Sequence, residues 1–151
     1  MCIRDRNKPD ATKESIVDGW FYSGDAGFFD EEGFLFIHDR VKDMIVSGGE
    51  NIYPAEVENA LMSHDEILDA AVVGVPDEKW GESVKGFVVI GESSLSEEEI
   101  ISYTRSQIAA YKCPKSIEFI KELPRNPSGK ILRRELRDPY WEGIDRKVSG
   151  N

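Results

Sequence analysis

Residues 39–58 read Asp39-Arg40-Val41-Lys42-Asp43, Met44-Ile45-Val46-Ser47, Gly48-Gly49, and then Glu50-Asn51-Ile52-Tyr53-Pro54-Ala55-Glu56-Val57-Glu58. The first five residues are four charges around one valine, set between two apolar runs, which suits an exposed linker. Met44 to Ser47 is a short strand that stops at the paired glycines. Pro54 opens a helix at an early position, where its missing N–H leaves no bond unmade. Glu56 and Glu58 complement the N-terminal dipole of that helix, and Val57, Ala60 and Leu61 supply its apolar face.

Downstream, Ile67 to Val75 is an apolar run rich in Val and Ala, read as a buried strand that Pro76-Asp77 stops. Val84 to Ile90 is a second such strand. Ser96 followed by Glu99 is a capping box for a helix running to about Ala110. Ile117 to Ile120 makes a short strand, Pro124 to Gly129 a loop, and Ile131 to Leu136 a helical turn or two. Upstream, Trp20 to Tyr22, Gly27 to Phe29 and Phe34 to His38 are short strands, the last two joined by a turn at Asp30-Glu31-Glu32-Gly33. Strands and helices mix without a regular βαβ rhythm, so the class is α+β. The linker at 39–43 is the one candidate boundary. Before it lies β structure too small to hold a core; after it lies a unit of about 108 residues.

The whole chain, 151 residues, is about one domain's worth. Its 40% hydrophobic and 32% charged residues are those of a globular protein. No apolar run approaches the ~20 residues of a membrane helix, and no signal peptide is expected ahead of the polar start. Residues 1–6 resemble neither a helix start nor a strand and are expected to be foreign to the native chain. These features argue against a membrane protein, a secreted disulfide scaffold and a disordered tail. Nineteen Lys+Arg against twenty-nine Asp+Glu give a net charge of −10, which argues against duplex nucleic acid as a partner. The charge is uneven: residues 50–100 carry −11, residues 112–137 carry +5. The basic segment suits either an anion site or a solvated helix face. Two cysteines without a CxxC point to reduced thiols and a cytoplasmic protein. Cys113, in YKCPK, is either a small core residue or a thiol acidified by its lysine neighbours.

Four places suggest chemistry. Asp25 follows Gly24 at a strand end, where a carboxylate reaches sugar hydroxyls or merely closes a turn. Gly48-Gly49 allows close approach of a ligand, or forms a plain turn. Trp80, among charges in DEKWGE, is a stacking surface or a partly buried anchor. Lys130 follows Gly129 on a Pro-, Asn- and Ser-rich loop, read as mobile and suited to reaching into another site. The GxxxxGK[ST] spacing of a phosphate loop is absent.

In order, YSGD (22–25), DRVKDMIVSGGENIYPAEVE (39–58), PDEKWGE (76–82), YKCPK (111–115) and LPRNPSGKILRREL (123–136) resemble the adenylate-forming enzymes. Among these the chain is most similar to AMP-forming acyl-CoA synthetases of the fatty-acid and aryl-acid CoA ligase type. The likeness runs from about Asn7 to Trp141. It implies that residues 7–41 end a large N-terminal AMP-binding domain and that 42–151 form a small mobile α+β C-terminal domain.

By that resemblance, Asp25 and Arg40 bind the nucleotide, Lys42 is the hinge, and Lys130 is the catalytic adenylation lysine. Gly48, Gly49, Trp80, Tyr111 and Lys115 face CoA. Some members carry Arg at the place of Cys113, which leaves the CoA contacts less closely matched. The implied substrates are a carboxylic acid, with a lean to fatty acids, ATP and CoA. Mg²⁺ is expected through the N-terminal domain, which this chain requires and without which it is expected to be inactive. No residue of this chain is expected to bind metal. The alternatives are an adenylation domain that loads a carrier protein, and a free-standing CoA- or nucleotide-binding or docking module.

Overall fold

The computed structural model describes residues 7–92 and 94–144. The chain divides into two compact units, with the boundary in the sequence between Val41 and Lys42. In the first, helix α1 (Pro9–Ser15) leads into the short antiparallel pair β1 (Ile16–Val17) and β2 (Trp20–Phe21), followed by the hairpin β3 (Asp25–Phe29) and β4 (Leu35–Arg40). Asp30 closes that hairpin by accepting from the N–H groups of Glu32 and Phe34. Both strands run further than the apolar residues alone suggested. Their register sets Asp25 directly opposite Arg40.

The second unit has a five-stranded sheet flanked by helices. Strands β5 (Ile45–Ser47) and β6 (Glu50–Ile52) form a tight hairpin beside the long hairpin of β7 (Ile67–Asp77) and β8 (Gly81–Ile90), and β9 (Ser116–Phe119) pairs parallel to β8. The expected α+β class is the observed one. Several boundaries differ from the reading, and β8 begins at Gly81 rather than Val84. Pro76 does not stop β7: it pairs opposite Glu82, because β7 is a terminal strand of the sheet, where a residue without an N–H is tolerated. Helix α3 (Glu97–Gln107) ends short of Ala110, since Ile108 turns extended and packs against the core. The predicted turn at 131–136 is α4 (Arg133–Arg137), and α1, β1 and β6 are elements that the sequence reading does not contain.

Strand β7 is buried on both faces, as its unbroken apolar run requires. Ala70 and Val72 point to a core shared with Val57 and Leu61 of helix α2 (Pro54–Met62) and with Ile100 of α3. Ala71, Val73 and Val75 point the other way, against Leu123, Ile131, Leu136 and Tyr140 of the C-terminal segment. The capping box forms as expected: Ser96 Oγ accepts from Glu99 N–H, and Glu99 accepts from Ser96 N–H. Thus α2 and α3 cover one face of the sheet, and the segment bearing Lys130 covers the other.

The open edge of β7 is sealed by side chains. Glu58 on α2 accepts from Val72 N–H at 2.9 Å and from Nε and Nη2 of Arg133, at 3.1 and 2.6 Å. Trp141 Nε1 donates to the Gly74 carbonyl at 2.9 Å. The C-terminal segment is therefore bolted around the sheet edge as well as packed on its back.

Candidate functional site

In the first unit, strand pairing aligns Asp25 with Arg40, and Arg40 Nε lies 3.2 Å from Asp25 Oδ1. Ser23 Oγ accepts from Asp25 N–H. Asp25 is part-buried and Arg40 exposed, so one carboxylate oxygen is engaged by a cation while the group still faces solvent. Lys42 stands in a single helical turn, Val41–Asp43. In the second unit it lines a groove of about 460 Å³ with Asp43, Arg133, Arg134 and Arg137.

Four of the five expected CoA residues are brought together. Gly48 and Gly49 are the two-residue loop of the β5–β6 hairpin, with φ of 61° and 90°. Positive φ at both central positions is the geometry of a type I′ turn, which glycine adopts without strain. Gly48 N–H donates to the Trp80 carbonyl at 2.8 Å, and the indole of Trp80 lies flush against Gly48. The two alternatives for these glycines are thus both realised: they make a turn, and Gly48 allows close approach, here by Trp80. Lys115 Nζ lies 5.3 Å from the Trp80 ring centroid and 3.0 Å from Asp77 Oδ2. Tyr111 is exposed and meets Lys112 instead, whose ammonium is held by both oxygens of Glu56.

Asp77 organises this cluster. It accepts from the N–H groups of Lys79 and Trp80, and with Lys115 it caps the turn between β7 and β8. The Lys115 hydrogen bond, then that of Trp80 N–H, holds the Asp77 carboxyl below the ordinary carboxylate range. A cleft of about 650 Å³ opens beside Trp80, lined also by Val46, Gly49, Asp77, Glu82 and Trp141. In the sequence Asp77 signals only the end of a strand, and no local pattern points to Trp141; their place at the cleft comes from the fold.

Lys130 sits on the back-face loop between the Leu123 and Ile131 anchors. The loop is not loose. Asn126 Oδ1 accepts from Ser128 N–H, Ser128 Oγ and Lys130 N–H, and Asn126 N–H donates to the Lys130 carbonyl. Gly129, at φ 82°, takes the left-handed conformation that the tight reversal demands. The Lys130 side chain is exposed, and among the described residues no carboxylate holds its ammonium. Much of the +5 strip is internally spent: Arg125 pairs with Asp69, Arg133 with Glu58, Lys112 with Glu56 and Lys115 with Asp77. Cys113 is buried, and that burial pushes its thiol above the usual range, so it is a core residue rather than an acidified thiol.

Residues 56–130 match the AMP-binding enzyme C-terminal domain. The chain belongs to the adenylate-forming AMP-binding enzymes. It is 52% identical over 142 residues to a fatty acid–[acyl-carrier-protein] ligase of Streptomyces coeruleorubidus, covering 93% of this chain and 27% of that protein. It is 48% identical over 134 residues to a long-chain-fatty-acid–CoA ligase of Mycobacterium tuberculosis, covering 89% and 27%. Among solved structures, an o-succinylbenzoate CoA synthetase of Bacillus subtilis in complex with an acyl-adenylate superposes with a TM-score of 0.81 at 43% identity, over 87% of this chain and 27% of that one. The chain thus spans 27% of the length of the curated relatives it matches, in their C-terminal portion. The adenylate-forming fold class expected from the motifs is the one found.

Proposed function

We propose that this chain is the C-terminal part of a ligase that activates a carboxylic acid with ATP and passes the acyl group to CoA, releasing AMP and pyrophosphate. The observation that carries this reading is the presentation of Lys130, an exposed ammonium with no carboxylate partner among the described residues, on a backbone held by hydrogen bonds. A carboxylate attacking an α-phosphate brings two anions together. An ammonium between them stabilises the charge that develops in the transition state, and a neutral side chain of the same shape would not.

The remaining roles follow the chemistry of each side chain. Asp25 offers two carboxylate oxygens to two vicinal ribose hydroxyls, and its partner Arg40 contributes to the same nucleotide. Lys42, the first residue of the second unit, is the hinge between half-reactions. Trp80 and Lys115 offer an aromatic face and a cation to the CoA nucleotide, with Tyr111 as a further contact. Gly48 is already filled by Trp80, whereas nothing lies within 4 Å of where a Gly49 Cβ would stand, so Gly49 is the place for a thin thiol arm to pass.

Residues 7–41 would close a large AMP-binding domain, and 42–151 would be the mobile one. The first unit supports this by exposing Trp20, Phe21, Phe29 and Phe34, all more than 60% accessible, which need a covering partner. Among the described residues no group of three or more His, Cys, Asp or Glu converges as a metal site. Mg²⁺ is assigned to the large N-terminal domain on the family likeness, and no step here runs through it. Alone, the chain would not complete the reaction. No described helix is long and apolar enough to cross a membrane; we assign the enzyme to the cytoplasm, where ATP and CoA are available. A fatty acid is the preferred substrate, and the Streptomyces relative favours a second reading in which a carrier protein replaces CoA.

The test is ATP–pyrophosphate exchange by the complete ligase across fatty and aryl acids, followed by transfer to CoA or to a carrier protein. Exchange that depends on a fatty acid, with CoA accepted, supports the reading. Preference for the carrier protein transfers it to the second reading, and no exchange with any acid contradicts both.

A further inference from the structure

The peptide that joins Gly129 to Lys130 is gripped at both of its polar atoms. Its N–H donates to Asn126 Oδ1 at 2.9 Å, and its carbonyl accepts from Arg125 Nη1 at 2.6 Å. The other terminal nitrogen of the same guanidinium, Nη2, lies 2.7 Å from Asp69 Oδ2. Asp69 belongs to β7, so this chain of bonds runs from the long β7–β8 hairpin to the residue before the lysine. A peptide unit is rigid and planar. Holding its oxygen and its hydrogen from opposite sides fixes its orientation. The Lys130 carbonyl, which accepts from Asn126 N–H at 2.9 Å, restrains the rotation beyond it, and together these bonds set the direction of the Lys130 Cα–Cβ bond.

We propose that Arg125 and Asp69 are positioning residues for Lys130: the guanidinium couples the lysine's backbone to the sheet and aims the ammonium. The proposal rests on the adenylation role given to Lys130 above. Arginine suits the task because its planar fork makes two bonds in fixed directions, which a lysine in its place would not. Asn126 shapes the loop locally, whereas the Arg125–Asp69 pair anchors it to the sheet. The same pair accounts for part of the basic strip without any phosphate: Arg125 uses its charge to hold protein, not ligand.

The consequence is a selective loss. Misplacing a catalytic group by about 1 Å costs up to about 10²-fold, so Arg125→Ala in the complete ligase should slow acid-dependent ATP–pyrophosphate exchange by about 10- to 100-fold, chiefly in kcat. Arg125→Lys should recover only part of it, and Asp69→Asn should cost less than Arg125→Ala. The double variant should be no slower than Arg125→Ala alone, because residues in one hydrogen-bonded chain do not act additively. Thioester formation from supplied acyl-adenylate and the thermal midpoint should stay near those of the parent, which separates aiming from folding.

Exchange within twofold of the parent for Arg125→Ala, equal losses in both half-reactions, or full additivity of the two substitutions would overturn the proposal. Lys130→Ala, run alongside, separates the two levels. If it abolishes exchange while Arg125→Ala does not slow it, positioning alone is wrong. If Lys130→Ala itself leaves exchange intact, the adenylation role falls and the positioning proposal falls with it.

Discussion

Gly48→Ala tests how the β5–β6 turn and Trp80 depend on each other. Gly48 and Gly49 share positive φ, so an added Cβ at either costs about 1–2 kcal/mol of left-handed backbone strain. Their surroundings differ. At Gly49 a Cβ meets nothing within 4 Å, whereas at Gly48 it would stand 2.6 Å from Trp80 Cε3 and 3.0 Å from Cζ3. Overpacking of that kind costs about 1–3 kcal/mol, and the lower end applies here because the ring is 43% exposed and can tilt outward. Gly49→Ala should therefore cost about 1–2 kcal/mol and Gly48→Ala about 2–3 kcal/mol in urea unfolding of this chain followed by circular dichroism. In a Trp80→Ala background the Gly48 penalty should fall to that of Gly49. The resulting coupling of about 1 kcal/mol exceeds the ~0.5 kcal/mol scatter of independent sites. Equal penalties at the two glycines, or no relief from Trp80→Ala, would refute the packing argument.

Three further outcomes are expected. Glu58→Ala strips Val72 N–H and Arg133 of a shared acceptor whose side chain is only 13% exposed, and should cost about 2–3 kcal/mol in the same unfolding assay, with Arg133→Ala adding little to it; a cost near zero would contradict the edge seal. Burial, then the hydrogen bond to Glu118, pushes the Tyr140 phenol up to about 12. A raised pKa stabilises the folded state fully below about pH 10, the ordinary tyrosine value, and that contribution is lost as pH rises through about 12. One of the five tyrosines should accordingly ionise last in an absorbance titration, and Tyr140→Phe should delete that step; a variant that keeps it would misassign the residue. Lys42→Pro in the complete ligase should preserve pyrophosphate exchange and impair thioester formation, and equal loss in both would argue against a hinge.

The sequence was most informative where short-range rules apply. Pro54, the Ser96–Glu99 box and the unbroken runs of β7 and β8 each carry a local signal, and each became the element it announced. Pro76 misled because a proline marks a stop in a central strand but not at a sheet edge, and edge status depends on partners far along the chain. Asp25 and Arg40 were legible as motif residues, while their direct pairing depended on hairpin register. Arg125 left no local trace of its work, since its carboxylate partner lies 56 residues away. Asn126, noted only as a loop-former, turned out to hold the Lys130 N–H. The loop looked mobile from its composition for the same reason: Pro, Asn, Ser and Gly describe a loose segment until their mutual hydrogen bonds are seen.

The central claim is that Lys130 stabilises the adenylation transition state and has no part in thioester formation. Replacing it with alanine in the complete ligase and following each half-reaction tests this directly. Loss of one preorganised charge at a developing anion costs about 10²–10³-fold, so pyrophosphate exchange should fall by at least that much while CoA thioester formation from supplied acyl-adenylate continues near the parent rate. Exchange that persists, or both half-reactions failing together, would contradict the account.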